Sequence, residues 1–272
     1  MKRKSGFLLA ACCILFIQIP GLCADPSPEQ LIAAHLKSIG DPAILSKIKS
    51  ISFTGTSEVN FIIGVTGRFV GTAMLASQET QTGIILKFEQ RDYAGEHFAY
   101  DGKSVTVHTS VGMKSNVGDF IYRYNKIMKN GMLGGVFSRA WPLLDIKNNK
   151  PRSMNVRKTK VDGTELYELE YRPLDDHGDM KIRMYFNPAT YRHVRTEYKV
   201  TYQDSDSRNY YLTLTEKFDD FMEVGPLTLP HGYMLDYAED GNQAGFAAKW
   251  KINVGEIRIN KADIDPKIFN AE

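Results

Sequence analysis

The sequence predicts an α+β fold: roughly ten to a dozen antiparallel strands, with helices at the start and in the middle that can cover one face of a curved sheet. Three observations carry this expectation. Apolar residues alternate at period two through most of the chain, short turns join the alternating stretches, and helical spacing shows only near the start and once in the middle.

The first elements are helical. Ser27 can cap, Pro28 suits the first helical position, and Gln30 completes a capping box. Leu31, Ile32, Leu36 and Ile39 share one face, Gly40 ends the helix, and Asp41-Pro42 restarts a short one carrying Ile44, Leu45 and Ile48. From about Lys49 the period becomes two, with Ile51 and Phe53, then Val59, Phe61 and Ile63, at alternate positions. Further strands are expected over 68–77, 83–91, 96–100 and 105–109, divided by turn formers such as Gln81-Thr82-Gly83 and Asp101-Gly102-Lys103. Connections this short make antiparallel neighbours. Asp119 is the expected cap of a helix in which Phe120, Ile121, Tyr124, Ile127 and Met128 share a face, and Gly131 stops it. An apolar piece over 132–144, with Gly134 and Gly135 inside it, completes the interruption. Strand character then returns over 153–160, 166–172, 181–187, 193–202, 210–221, 232–237 and 247–259, with turns at Val161-Asp162-Gly163, Asn187-Pro188-Ala189 and Asp204-Ser205-Asp206-Ser207.

Lys2, Arg3 and Lys4, the apolar run from Phe7 to Ile19, the Pro20-Gly21 break and Ala24 read together as a cleavable secretory signal over 1–24. The run falls short of the roughly 20 apolar residues that a membrane span needs. The expected mature chain is 25–272, a single domain in the periplasm or secreted. Cys12, Cys13 and Cys23 all lie in the segment to be removed, so disulfide and thiolate chemistry are not expected. The chain carries 34 Lys and Arg against 32 Asp and Glu, and taking away Lys2, Arg3 and Lys4 leaves 31 against 32. Without a basic excess, nucleic acid is not an expected partner.

The chain shows no G-x-S-x-G elbow, H-E-x-x-H pair, phosphate-binding loop or dinucleotide fingerprint. Its histidines, His35, His97, His108, His177, His193 and His231, are scattered without metal-ligand spacing, although His97 and His108 could approach each other across neighbouring strands. Asp175, Asp176 and Asp179 with His177 read as a solvated hairpin. No catalytic residue, metal or cofactor is expected. Bulky apolar side chains are abundant instead, among them Met113, Met132 and Phe137. Ordinary core packing accounts for much of that, while methionine's adaptability also suits a loosely specified apolar ligand.

Several separated stretches resemble the LolA-like outer-membrane lipoprotein-sorting carriers and the broader LolA/LolB/LppX-like lipid-binding fold. The opening helix Leu31-Ile32-Ala33-Ala34-His35-Leu36 leads through Ile39-Gly40-Asp41-Pro42 into Ile48-Lys49-Ser50-Ile51-Ser52-Phe53-Thr54-Gly55, a helix-to-strand join similar to theirs. Gly131-Met132-Leu133-Gly134-Gly135 with Ala140-Trp141-Pro142-Leu143-Leu144 resembles the helical insertion of secreted relatives. Phe186-Asn187-Pro188-Ala189-Thr190-Tyr191 resembles their hairpin turn, Phe218-Asp219-Asp220-Phe221 through Gly225-Pro226-Leu227-Thr228-Leu229-Pro230-His231 their strand, turn and Leu-Pro pair, and Ile264-Asp265-Pro266-Lys267-Ile268-Phe269 their C-terminal ending.

The resemblance implies an incomplete β-barrel, a strongly curved antiparallel sheet whose concave apolar face is covered by the N-terminal helix and the central helical insertion and holds lipid or lipoprotein acyl chains, with a membrane-associated donor or acceptor protein as a further partner. The side chains expected to line the cavity or its lid are Phe61, Phe69, Met74, Leu86, Phe88, Phe120, Tyr124, Ile127, Met128 and Trp141. Arg68 is the candidate for the arginine that holds the lid closed in those carriers. Such a carrier needs an apolar pocket of some hundreds of Å³ on the concave face. Two other readings stay open: an envelope interaction domain whose sheet carries a solid core, and a hydrolase, which would require convergent polar groups in the pocket.

Overall fold

The structure, a computed structural model, describes residues 25–63, 67–109, 115–175, 179–203, 209–240 and 245–271. The expected signal 1–24, Met113, Asp176, His177 and the turn over 204–207 lie outside these residues. Alternation at period two becomes twelve strands: β1 Ser50–Ile63, β2 Gly67–Gln78, β3 Gln81–Phe88, β4 Gly95–Tyr100, β5 Val105–Thr109, β6 Ser153–Val161, β7 Thr164–Arg172, β8 Met180–Phe186, β9 His193–Gln203, β10 Asn209–Val224, β11 Leu227–Asp240 and β12 Ala247–Ile259. They form one antiparallel sheet in the order β5-β4-β3-β2-β1-β12-β11-β10-β9-β8-β7-β6. The sheet is curved and does not close. Its edges are β5 and β6, which follow one another in the chain, so the connection between them crosses the open side of the cup.

Two groups of helices cover the concave face. Helix α1 (Pro28–Ile39) starts on the expected capping box, with Ser27 and Gln30 each accepting the other's backbone N–H, and buries Leu31, Ile32, His35 and Ile39. The short α2 (Pro42–Leu45) follows under an Asp41 cap. The β5–β6 connection supplies α3 (Asn116–Arg123), α4 (Lys126–Lys129) and two 3₁₀ turns, Gly135–Phe137 and Pro142–Asp145. Phe137 meets Phe53 with ring centroids 4.9 Å apart, and Phe120 meets Tyr237 at 5.5 Å. These pairs put the connection directly on the sheet floor.

The turn expected at Gln81-Thr82-Gly83 falls instead at Glu79 and Thr80, so that β3 covers Gln81–Phe88, and two further elements differ from the sequence expectation. The central helix is capped by Ser115, whose hydroxyl accepts the Gly118 N–H, while Asp119 sits inside the first turn and pairs with Arg123. It also breaks in two at Tyr124 and Asn125, where the Asn125 side chain donates to the Tyr122 carbonyl and competes with the helical ladder. The apolar face survives the break. Strand β11 starts at Leu227 and runs straight through Pro230, whereas alternation alone starts it at Gly232; Pro230 pairs with Phe221 of β10, and the ladder to β12 begins only at Gly232, so the missing N–H leaves no gap.

The ladle-shaped interior is continuous core. Ile127 is 2% exposed there, and the space it shares with Met132, Met180 and Ile182 is about 10 Å³. A well-filled site collapses poorly when emptied, so Ile127→Ala is expected to cost about 2–5 kcal/mol in urea unfolding. A loss under about 1 kcal/mol would mean that α4 is only loosely seated.

Candidate functional site

At the centre of the covered face, α1, the connection and the sheet bring together an aromatic cluster. His35 contacts Trp141 and Phe186 edge-on with centroids at 5.3 and 5.1 Å, and His193 stacks at a tilt against Trp141 and Phe218 at 5.1 and 4.9 Å. Both histidines are buried. His35 Nδ1 donates to the Tyr191 carbonyl at 2.9 Å, and His193 Nε2 shares a hydrogen bond with Thr196 Oγ1 at 2.8 Å. Burial pulls the His35 imidazole down to about 4 and His193 well below its ordinary value, so both are neutral at pH 7. No hydrogen bond joins the two rings, whose centroids lie 6.1 Å apart.

Two acids from the sheet fasten the connection. Glu216 of β10 is fully buried, and its Oε1 accepts the Gly134 N–H and the Tyr233 hydroxyl, each at 2.7 Å. Tyr198 Oη lies 2.8 Å from Glu216 Oε2 and 2.9 Å from the Met132 carbonyl. A phenol carries one proton, and both neighbours are acceptors if Glu216 is ionised. A proton on Oε2 satisfies every contact: Glu216 donates to Tyr198, which donates to Met132. In agreement, burial raises the Glu216 carboxyl to about 7. Nearer the other end of the cup, Glu96 of β4 accepts from Ser115 at the start of α3 and from Tyr93, at 2.8 and 3.0 Å, and burial raises it to about 8.

Beside the connection, two clefts open. One, about 540 Å³, lies among Leu36, Pro42, Leu45, Ile48, Lys49 and Leu144; the other, about 580 Å³, runs past Trp141, Pro142, Tyr171 and Leu174. They share Glu79, Arg139, Leu144 and Asp145. The Arg139 backbone N–H donates to Ser77 Oγ at 2.9 Å and its guanidinium to the Leu45 carbonyl at 3.2 Å. Its Nε is buried without a hydrogen-bond partner, as are Ser138 Oγ, Trp141 Nε1 and His35 Nε2. Burial draws Arg139 below its ordinary value.

The residues expected at a cavity are placed unevenly. Leu86, Phe88, Phe120, Tyr124, Ile127, Met128 and Trp141 are buried in the core between sheet and connection. Phe61 and Phe69 are half-buried with Tyr93 at the end of the β1–β2 hairpin, where they pack against the edge of the core through Trp250 and Phe88. Met74 is on the opposite face of β2 from Leu75, in a space of about 240 Å³ under the C-terminal segment with Ile264 and Ile268. Strand alternation sends it there, since Leu75 is the neighbour that meets the connection at Gly134. Arg68 pairs with Glu58 at 2.5 Å on an exposed ladder and touches no lid. The volume that a carrier needs therefore lies beside the connection, and the floor beneath it is filled. His97 and His108 do pair across β4 and β5, where His97 Nε2 contacts the Ile268 carbonyl at 2.8 Å. Among the described residues no group of three or more His, Cys, Asp or Glu is placed to hold a metal. Glu216 was the residue to find: Leu212, Leu214, Glu216 and Phe218 share one strand face, and an acid in an apolar register is a signal.

No family model and no curated protein sequence matches the chain. Similar solved structures include a LolA superfamily protein from Nitrosomonas europaea, at 12% identity and a TM-score of 0.45 over 90% of this chain and 98% of that one. A DUF1329 family protein from Desulfovibrio piger is similar at 11% identity and a TM-score of 0.46, over 88% and 95%. The Pseudomonas aeruginosa MucA/MucB complex is similar at 10% identity and a TM-score of 0.22, over 85% and 99%. What the site does is read from its own residues.

The buried acids and histidines set opposing pH dependences. Glu216 and Glu96 bind a proton more tightly folded than unfolded, so their contribution is full below their ordinary value of 4.5 and is lost as pH rises through about 7 and 8. His35 and His193 act in reverse and favour the fold above 6.5. Between these values the two pairs offset, and above pH 6.5 the acids alone should lower stability, each by up to about 1.4 kcal/mol per pH unit. Glu216→Gln keeps an acceptor for Gly134 and a donor for Tyr198, so urea unfolding at several pH values should show near wild-type stability at pH 6 and a shallower decline toward pH 8.5. An unchanged slope would exclude Glu216 as a titrating group.

Proposed function

We propose that this protein is an exported, non-enzymatic carrier that binds a lipid or lipoprotein acyl chain on the covered side of its sheet, at the clefts beside the β5–β6 connection. The observation that carries the reading is how the cup is covered. Its apolar floor lies under a connection of short helices and turns, with Gly131, Gly134 and Gly135 at φ +64, +91 and +51, and open clefts run along its edge. An acyl chain gains roughly 0.8 kcal/mol per buried CH₂, so a palmitoyl-length chain has on the order of 10 kcal/mol with which to displace a covering segment. Outer-membrane lipoprotein sorting is the role that the sequence resemblance implies, and a membrane-associated donor or acceptor protein would then load and empty the cup.

The filled floor favours a second reading, an envelope interaction domain with a solid core. Native mass spectrometry of the exported protein, purified without detergent, separates the two. The carrier reading expects a co-purified lipid on a chain that begins at Asp25, and saturable binding of a fluorescent fatty acid after delipidation. Absence of both lipid and fatty-acid binding would leave the solid-core reading, and a mature species retaining Met1 would overturn export by cleavage.

A further inference from the structure

Arg139 is a half-buried cation that the fold partly desolvates without pairing it to an acid. Its main chain is tied to Ser77 of β2, which fixes where the side chain starts, and the side chain reaches across to the end of α2. Among the described residues it makes no ion pair, although Glu79 and Asp145 line the same clefts, and its one side-chain hydrogen bond is to the Leu45 carbonyl. A guanidinium has five N–H donors in a planar fork, and Nε is buried without a partner. Burying a charge in that condition is costly unless something else completes it. On one side of this fork the cleft is lined by Leu36, Pro42, Leu45, Ile48 and Leu144 together with Ser46 and Lys49, and its volume of about 540 Å³ falls within the roughly 300–1,000 Å³ of ordinary small-molecule sites.

We propose that Arg139 is the headgroup subsite of the cleft, which takes a single-chain amphiphile whose oxyanion sits on the guanidinium and whose chain lies along the Leu36–Leu45–Leu144 wall. This rests on the acyl-carrier reading and narrows it to an anionic ligand. A carboxylate and a phosphate monoester both offer paired oxygens to the fork, and both fit the chemistry described. Lysine would not replace arginine here, since a point charge on a flexible stem cannot bridge two oxygens from the same fixed start.

The test compares three amphiphiles of equal chain length, palmitate, hexadecyl phosphate and a neutral hexadecyl glycoside, titrated below their aggregation concentrations into the delipidated full mature chain. The wild-type protein should bind at least one anionic ligand about ten-fold or more tightly than the neutral one, as expected for a charge-assisted pair. Whichever anion binds more tightly identifies the source. Arg139→Gln should abolish that preference, and Arg139→Lys should restore only part of it. Because Arg139→Gln also loosens α2, Glu79→Gln provides a second reading. Glu79 is exposed, and removing its charge from the shared cleft wall should tighten the anion alone by about two-fold at low salt. Equal binding of anionic and neutral ligands by the wild type, or a preference that survives in a folded Arg139→Gln protein, would overturn this subsite while leaving the carrier reading standing. No binding of any of the three would overturn both.

Discussion

The interaction on which the rest of the structure depends is the crossing of the open cup by the β5–β6 connection. Consecutive strands usually lie side by side, but here the first five strands meander away from β1 in one direction and the last seven return to it from the other. The join between the two runs must therefore travel from one edge to the other. Since the intervening floor is apolar, a connection that crossed it in water would expose Leu75, Leu86, Leu214 and Phe218, all at most 2% exposed in the fold. Crossing in contact with the floor buries them. That is why a segment with little regular secondary structure is part of the core, and why its glycines stand where backbone and sheet come close.

Apolar contact alone would not define where such a segment sits, because burial is roughly proportional to area and indifferent to direction. The polar anchors supply direction. Glu96 takes the start of α3 through Ser115, Glu216 takes the Gly134 N–H, Tyr198 takes the Met132 carbonyl, and Ser77 takes the Arg139 N–H. These four points fall on β4, β10, β9 and β2, spread across most of the sheet. Burial raises the carboxyls of Glu96 and Glu216 far above the usual range, which lessens the cost of an unpaired charge and, at Glu216, lets a carboxylic acid act as donor and acceptor at once. The unsatisfied atoms Ser138 Oγ, Arg139 Nε and Trp141 Nε1 belong to the same connection, immediately after the anchored glycines. The covering segment is thus well anchored along one part of its length and incompletely satisfied along the next, beside the clefts.

The fold class, the strands on either side of the insertion, the capping box of α1 and the stop at Gly131 were legible in the sequence. All depend on local geometry: a side chain's face is set by the period of its own backbone, and caps and turns by neighbours a few residues away. The same reasoning placed Phe120, Ile121, Tyr124, Ile127 and Met128 on one face even though the helix carrying them breaks. It misplaced the cap, since Ser115 precedes a Gly that argues against helix, and it started β11 late, after a proline that the sheet tolerates.

What only the tertiary structure decided is which faces meet. Met74 and Leu75 are neighbours with similar chemistry, yet one lies under the C-terminal segment and the other under the connection, because strand order puts different partners on the two sides of β2. Arg68 and Arg139 are both arginines near glycines in the sequence, but only the second comes to rest between α2 and the insertion. His35 and His193 carried no spacing signal as a pair, since they come from α1 and β9 and meet only when the helix packs on the curved sheet. The sequence by itself determined a curved antiparallel sheet with helices to cover it; the pairing of β1 with β12 decided that the β5–β6 connection must cross the open side, and so where its anchors and clefts lie.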